Sequence, residues 1–347
     1  MYKQRLLKVR NFLKKNKFDA FLITSLSNVR YLSGFTGDDC RLLLTLKENI
    51  FIGDFRYKLQ AEKQVKDLFS IEIAQGSVFK LIKELAFKIH LKAVCFEEKY
   101  LSVFEYGKLK ECVGRQSKLI GQNGIIEAQR QIKSTEELEL IRTAVNITKK
   151  SLRSLEPFIK PGVSEIFLKH KLDSLQKEYG AQGPAFEIIV ASGKNSAMPH
   201  AKATEKLICK NEPIIIDTGC VFKGYCSDLT RTFFLGKIMR YKKYYKLVAA
   251  AQDKAIKMVK PLVKIEKVAM AARQIYEQQG LNKYFGHALG HGVGLAVHEA
   301  PGICKNNPLR LRKDMVFTIE PGFYLPDWGG IRIEDMVRVT EKGCEIL

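Results

Sequence analysis

The chain has 347 residues, 46% of them hydrophobic and 27% charged. That balance supplies real cores and is enough for about two domains of ordinary size. No apolar run reaches about 18 residues, so no membrane-spanning helix is expected; the basic start Met1–Arg10 is not followed by a signal-peptide core, which points to a cytoplasmic protein. The formal net charge of +21 comes from 58 Lys and Arg against 37 Asp and Glu and is spread along the chain, so it bears on solubility and encounter rates rather than on fold.

In chain order, residues 1–120 alternate helices and strands. Apolar residues at helical spacing over Arg5–Lys17 predict a helix, and Ala20–Thr24 a strand closed by Ser25–Asn28. Asn28–Leu32 leads into a turn at Ser33–Asp38. Arg41–Thr45, Asn49–Gly53 and Ala93–Phe96 read as strands, Tyr57–Val65 and Val78–Ile89 as helices. This alternation argues for α/β layering. Between Cys112 and Gln129 the pattern thins, with Gly at 114, 121 and 124, and the domain boundary is placed at 122/123, giving domains 1–122 and 123–347.

Ser134-Thr135-Glu136-Glu137 is a helix start, a hydroxyl cap followed by acids in the first turn, and a second helix spans about Ser164 to Tyr179. Strands follow at Glu187–Ala191, Pro213–Asp217, Val221–Tyr225 and Thr230–Leu235. Helices at about Tyr241–Val259 and Val268–Gln279 precede strands at Met315–Glu320, Gly330–Glu334 and Met336–Val339. The basic, aromatic stretch Arg240–Lys246 reads as a solvated helix face rather than a nucleic-acid patch. The eight Cys, at 40, 95, 112, 209, 220, 226, 304 and 344, contain no C-x-x-C pair and are expected to be reduced.

Five positions in the second half carry chemistry. Asp217 ends the apolar run Pro213–Ile216, where a carboxylate is costly to bury unless it is paired or metal-bound. Eleven residues later comes Asp228, and Gly219 and Gly224 between them allow a hairpin that returns it beside Asp217. Two carboxylates so placed repel unless a cation lies between them. Gly286–Glu299 holds three of the six His, at 287, 291 and 298, among four Gly, a composition unlike a helix. Glu320 and Glu334 each interrupt a short apolar strand. Four carboxylates and one imidazole form an oxygen-rich set suited to two divalent ions, Mn²⁺ foremost, with Co²⁺, Fe²⁺ or Zn²⁺ also fitting.

These motifs resemble the pita-bread metallopeptidases, nearest to the Xaa-Pro aminopeptidase and Xaa-Pro dipeptidase (prolidase) branch. The resemblance runs through Ile216-Asp217-Thr218-Gly219, Ser227-Asp228-Leu229-Thr230-Arg231, Gly290-His291-Gly292-Val293-Gly294, Ile319-Glu320-Pro321-Gly322 and Arg332-Ile333-Glu334-Asp335, in the family order Asp, Asp, His, Glu, Glu. In the N-terminal part, Asn28–Gly37 and Asp54-Phe55-Arg56-Tyr57 resemble the branch's creatinase-like domain. Methionine aminopeptidases lack that domain, and creatinases lose ligands.

The resemblance implies an α+β fold: a creatinase-like α/β domain, then a pita-bread domain with a curved, mostly antiparallel sheet and flanking helices. It implies two metals held by Asp217, Asp228, His291, Glu320 and Glu334, and a bridging hydroxide that attacks the carbonyl before proline. Glu320 would move the proton, and His200 and His298 would sit by the reacting carbonyl. His298 would also contact substrate, as would His287. Arg332 would orient the ligands from behind, and Tyr225 would lie beside them. Proline-containing peptides are the implied substrates and a homodimer or higher homo-oligomer the implied assembly. A dipeptidase must hold its substrate's free carboxylate and is expected to carry Arg just past His-Glu-x-Pro. Here His298-Glu299-Ala300-Pro301 is followed by Gly302, which favours the aminopeptidase, with Lys305, Arg310 and Arg312 as substitutes if it is a dipeptidase. A catalytically silent relative that binds nucleic acid or protein is the remote alternative, and it would be expected to have lost ligands.

Overall fold

A computed structural model describes residues 1–114, 117–236 and 239–347. The chain divides into two compact units, Met1–Arg130 and Gln131–Leu347. The expected boundary lay at 122/123. The glycines there precede a short helix, Ile125–Arg130, whose Ile126 is buried and which packs on the helices Tyr2–Asn16 and Leu26–Ser33 of the first unit.

The first unit is built on one six-stranded mixed sheet. Its strand order is Ser70–Ala74, Asn49–Asp54, Arg41–Thr45, Ala20–Ile23, Ala93–Glu97, Lys118–Gln122. The three strands from Asn49 to Ile23 in this order pair antiparallel, and the outer pairings are parallel. The opening helix Tyr2–Asn16 buries Leu6, Val9 and Leu13 at the three- and four-residue spacing of one helix face. Five α-helices and strands of this unit have no counterpart in the sequence reading: the helices Leu26–Ser33, Val103–Val113 and Ile125–Arg130 and the strands Ser70–Ala74 and Lys118–Gln122. Both strands lie at sheet edges and are largely half-buried or exposed, so the apolar alternation that marks a strand is weak there.

The second unit opens with the helix Thr135–Leu155. The Ser134 hydroxyl accepts from the Glu137 amide, and the Glu137 carboxylate accepts from the Ser134 amide at 2.8 Å, a reciprocal cap. Its buried face carries Leu138, Ile141 and Val145, which pack with Tyr225, Val293, Val316 and Met336. All strand pairings described in this unit are antiparallel. One sheet orders Glu299–Ile303, Gly290–Gly292, Val316–Ile319, Asp335–Val339 and Cys344–Ile346. Another orders Leu229–Phe234, Pro213–Thr218 and Ile189–Ser192. The expected strand Val221–Tyr225 is instead a tight hairpin. Cys220–Phe222 pairs with Tyr225–Cys226 across Lys223 and Gly224, both at positive φ (46° and 83°), which such a two-residue turn requires.

The helices Met239–Met258 and Ile265–Glu277 pack on each other and on the larger sheet. In the basic stretch Arg240–Lys246, Tyr241 stacks on Phe234 and Tyr244 on Phe323, each with ring centroids 4.2 Å apart. These tyrosines cover core, and the lysines between them face outward. The eight cysteines are all free. Among the described residues no helix is long and apolar enough to cross a membrane.

Ile141 is fully buried and Glu139 on the same helix is exposed. Ile141→Ala is expected to lower stability by about 2–5 kcal/mol in urea unfolding, against a change within about 0.5 kcal/mol for Glu139→Ala.

Candidate active site

Antiparallel pairing assembles the acids. Strand Pro213–Thr218 is buried throughout and pairs with Leu229–Phe234 so that Asp217 lies opposite Thr230. The chain between them folds back through the tight hairpin and closes with the Ser227 carbonyl against Gly219, where a Cβ would come within 1.9 Å of that oxygen. Only glycine permits the approach that returns Asp228 to Asp217. The short strand Gly290–Gly292 carries His291 between two neighbours. A Cβ at Gly290 would lie 2.0 Å from the Thr318 carbonyl oxygen, and one at Gly292 would lie 2.3 Å from that of Ala300. Glu320 follows Val316–Ile319 directly, and Glu334 sits between Gly329–Arg332 and Asp335–Val339.

The side chains converge. His291 Nε2 lies 3.5 Å from Asp228 Oδ2 and 3.4 Å from Glu320 Oε1. Its Nδ1 faces the Gly292 carbonyl at 3.2 Å, which places the proton on Nδ1 and leaves the Nε2 lone pair toward the acids. Single ligand atoms of Asp228, His291 and Glu334 all lie within 4.8 Å of one another. Arg332 Nη2 donates to Asp217 Oδ2 at 2.6 Å, while Asp217 Oδ1 is buried with no hydrogen-bond partner among the described residues. The Glu334 carboxylate accepts from Thr230 Oγ1 at 2.6 Å, and Glu320 from Thr318 Oγ1 at 3.2 Å.

The electrostatics are those of anions lacking a counter-ion. Burial, and then repulsion from Glu334, Asp217 and Glu320, raises the Asp228 carboxyl well above its usual range. Glu334 is raised in the same way, by burial and then by Glu320 and Asp217. Burial raises Glu320 to about 8 even though Arg332 opposes the shift. Four acids share one guanidinium, and an orphaned carboxylate oxygen and an open imidazole lone pair point among them. Hard oxygen donors with a single imidazole are the chemistry that divalent cations take.

Three further histidines stand around this group, His200, His287 and His298. They line one cavity of about 620 Å³ with Asp217, Asp228, His291, Glu320, Arg332 and Glu334. His287 Nδ1 faces the Ala288 carbonyl at 2.7 Å, and its Nε2 meets the Tyr324 hydroxyl at 3.1 Å. Burial lowers its pKa to about 4, so the ring is neutral at pH 7. The His298 and His291 rings meet edge to face at 4.2 Å, and burial lowers His298 as well. Tyr225 is the one expected site residue that does not line the cavity. Its hydroxyl donates to Glu137 at 2.9 Å, tying the hairpin to the helix start at Ser134.

Sequence reading missed four supporting groups. Tyr324 accepts from Arg332 Nη1 at 2.8 Å and lines the cavity. Thr230 bridges Arg332 Nε (3.2 Å) and Glu334, and Thr318 bridges the His291 amide (3.1 Å) and Glu320. Thr230 and Thr318 each lie two residues from a noted acid, a spacing that on a strand places both side chains on one face. The fourth is Glu165, fully buried. It accepts from the Ser192 amide and hydroxyl (2.7 and 2.8 Å), from Asn195 Nδ2, and from the Thr204 amide and hydroxyl (3.1 and 2.7 Å). One carboxylate thus clasps both ends of the segment that carries His200.

Comparison with known proteins agrees with this geometry. The chain matches metallopeptidase family M24 over residues 139–341 and the Creatinase/Prolidase N-terminal domain over residues 5–132. It is 33% identical to an Xaa-Pro dipeptidase of Pyrococcus horikoshii over 99% of this chain and 96% of that one. It is 35% identical to a putative Xaa-Pro aminopeptidase of Mycoplasma genitalium, over 98% and 95%. Its fold matches an Xaa-Pro dipeptidase of Bacillus anthracis with TM-score 0.96 at 33% identity, covering 100% and 97%. The chain belongs to metallopeptidase family M24 and is a hydrolase with a creatinase-like N-terminal domain and a pita-bread second domain.

Two outcomes follow from the geometry. Gly219→Ala forces the Ser227 carbonyl away and is expected to lower both the unfolding midpoint and activity; unfolding scans and peptide hydrolysis check it. Glu320 titrates near 8 when folded against 4.5 unfolded, so the folded state holds the extra proton between those values. For protein stripped of divalent ions, this contribution is full below about pH 4.5 and is lost as pH rises through about 8. Unfolding midpoints are therefore expected to fall across that window, and added divalent metal to restore most at the alkaline end.

Proposed function

We propose that the enzyme is an Xaa-Pro aminopeptidase, releasing the N-terminal residue from peptides with proline in second position. Asp217, Asp228, His291, Glu320 and Glu334 would hold two divalent ions, with Mn²⁺ the best match and Co²⁺, Zn²⁺ or Fe²⁺ also suited. The observation that carries the metal assignment is the orphaned Asp217 Oδ1 among four buried carboxylates that share one arginine. When bound, such ions polarise a carbonyl and lower the pKa of water.

The remaining work belongs to the chain's own residues. Arg332 holds Asp217 by one oxygen and leaves the other toward the cluster; Thr230 does the same for Glu334. Glu320 would take a proton from the attacking water and return one to the proline nitrogen as it leaves. His200 and His298 donate to the carbonyl oxygen as charge develops on it. His287, held neutral against Tyr324, forms a wall for the substrate.

Gly302 supports the choice of aminopeptidase. It lines the cavity where a carboxylate-binding arginine would be expected in a dipeptidase, and Lys305, Arg310 and Arg312 are not among the lining residues. The Xaa-Pro dipeptidase activity stated for two of the relatives is the second reading. Hydrolysis of Gly-Pro alone, with no cleavage of longer Xaa-Pro peptides by metal-loaded enzyme, would reverse the order.

Glu320→Ala is expected to reduce turnover by at least about a hundredfold. Near-normal hydrolysis by a metal-loaded sample sinks the assignment. A divalent ion at about 100 times its dissociation constant should stabilise the wild type by about 2.7 kcal/mol. In Glu334→Ala that gain should largely disappear, as read from thermal unfolding with and without chelator.

A further inference from the structure

Among the described residues, two Lys or Arg side chains line the cavity, Arg332 and Lys202. Arg332 is buried and committed, with Nη2 on Asp217, Nη1 on Tyr324 and Nε on Thr230. Lys202 is exposed, and its ammonium has no hydrogen bond or ion pair among the described residues. It shares the cavity wall with Glu187, on which its charge acts, but Glu187 is bonded to Lys169 at 2.9 Å. Lys202 also stands on prepared ground. It is two residues past His200, within the segment whose ends the Glu165 carboxylate clasps at Ser192 and Thr204. Gly302 also lines the cavity and brings no charge: a Cβ there would meet nothing within 4 Å, and the Arg310 guanidinium donates to the Leu262 carbonyl.

A peptide entering this cavity brings a negative group of its own. Its C-terminal carboxylate settles best against an ammonium that no other group of the chain has taken, and among the described lining residues that is Lys202. Each residue past the scissile carbonyl advances the chain by about 3.5 Å. A peptide of two or three residues therefore keeps its terminus within a cavity of about 620 Å³. Resting on the Xaa-Pro reading above, we propose that Lys202 is a specificity-determining residue that receives a substrate carboxylate, favouring short Xaa-Pro peptides with a free C-terminus.

The test compares metal-loaded wild type, Lys202→Met and Lys202→Glu on three substrates: Ala-Pro-Ala, its C-terminal amide, and Ala-Pro-Glu amide. Wild type is expected to prefer the free acid over the amide by about tenfold in kcat/KM, expressed in KM, as one charge-assisted contact provides. In Lys202→Met the ratio falls toward one, and in Lys202→Glu below one. If Ala-Pro-Glu amide regains the preference in wild type and loses it in Lys202→Met, the carboxylate read is a side chain's. Equal handling of all three substrates by wild type, or an unchanged ratio in Lys202→Met, overturns the proposal. Binding of Pro-Ala and its amide, measured by calorimetry on wild type and Lys202→Met, separates this claim from the peptidase reading. If no Xaa-Pro peptide is cut, an acid preference that depends on Lys202 still supports the carboxylate site, and none refutes it. Lys202 is exposed and unpartnered, so unfolding midpoints of the variants should match wild type.

Discussion

Four carboxylates gathered in a buried pocket must be compensated, and the second unit is organised around that constraint. Asp217, Asp228 and Glu334 are nearly inaccessible. A lone ionised carboxylate in such a place would take up a proton rather than stay charged. The protein supplies one fixed cation, Arg332, and spends it on one oxygen of Asp217. It adds hydroxyl donors, Thr230 to Glu334 and Thr318 to Glu320. These hold the acids in place but leave their charge uncancelled. The upward shifts at Asp228, Glu320 and Glu334 express the remainder, and a divalent cation would cancel it.

Rigidity is supplied from outside the pocket. Backbone contacts that only glycine permits, Gly219 on Ser227 and Gly290 on Thr318, bring neighbouring segments closer than side chains would allow. Glu165 plays the same part for the wall that bears His200. Its carboxylate meets donors from both ends of one loop and so ties the segment that bears His200. The ion pair of Lys133 with Glu299, 2.9 Å and almost wholly buried, fixes the residue next to His298. The segments that carry His200 and His298 are thus each tied by a buried carboxylate.

The metal chemistry and the choice of substrate have different physical origins. The first would follow from the four acids and His291 gathered in the cavity. The second would depend on the cations that line the cavity, where Gly302 brings no charge and Lys202 carries an ammonium with no partner among the described residues. Relatives at similar identity bear both dipeptidase and aminopeptidase names.

Much of the site was legible in the chain itself. A carboxylate at the end of Pro213–Ile216, glycines flanking His291, and acids interrupting short apolar runs are local patterns with a local cost, so they show without a fold. The amphipathic helix at 135–155 and the strands at 213–218, 229–234 and 335–339 were readable for the same reason, since their apolar period is strong. Edge strands such as Ser70–Ala74 were not, because half-exposed residues need no apolar alternation. Tertiary structure alone decided which donor meets which acid. Glu165 lies 27 residues from Ser192, Thr230 lies 104 from Glu334, and Tyr225 bonds to Glu137 rather than lining the cavity. It likewise decided that Arg332 is committed and Lys202 is free. Side-chain partnership depends on approach across folded segments, and sequence spacing carries no record of that approach. The acids therefore pointed to a candidate metal site from the sequence, while the fold alone shows how they are held and that Lys202 lines the same cavity.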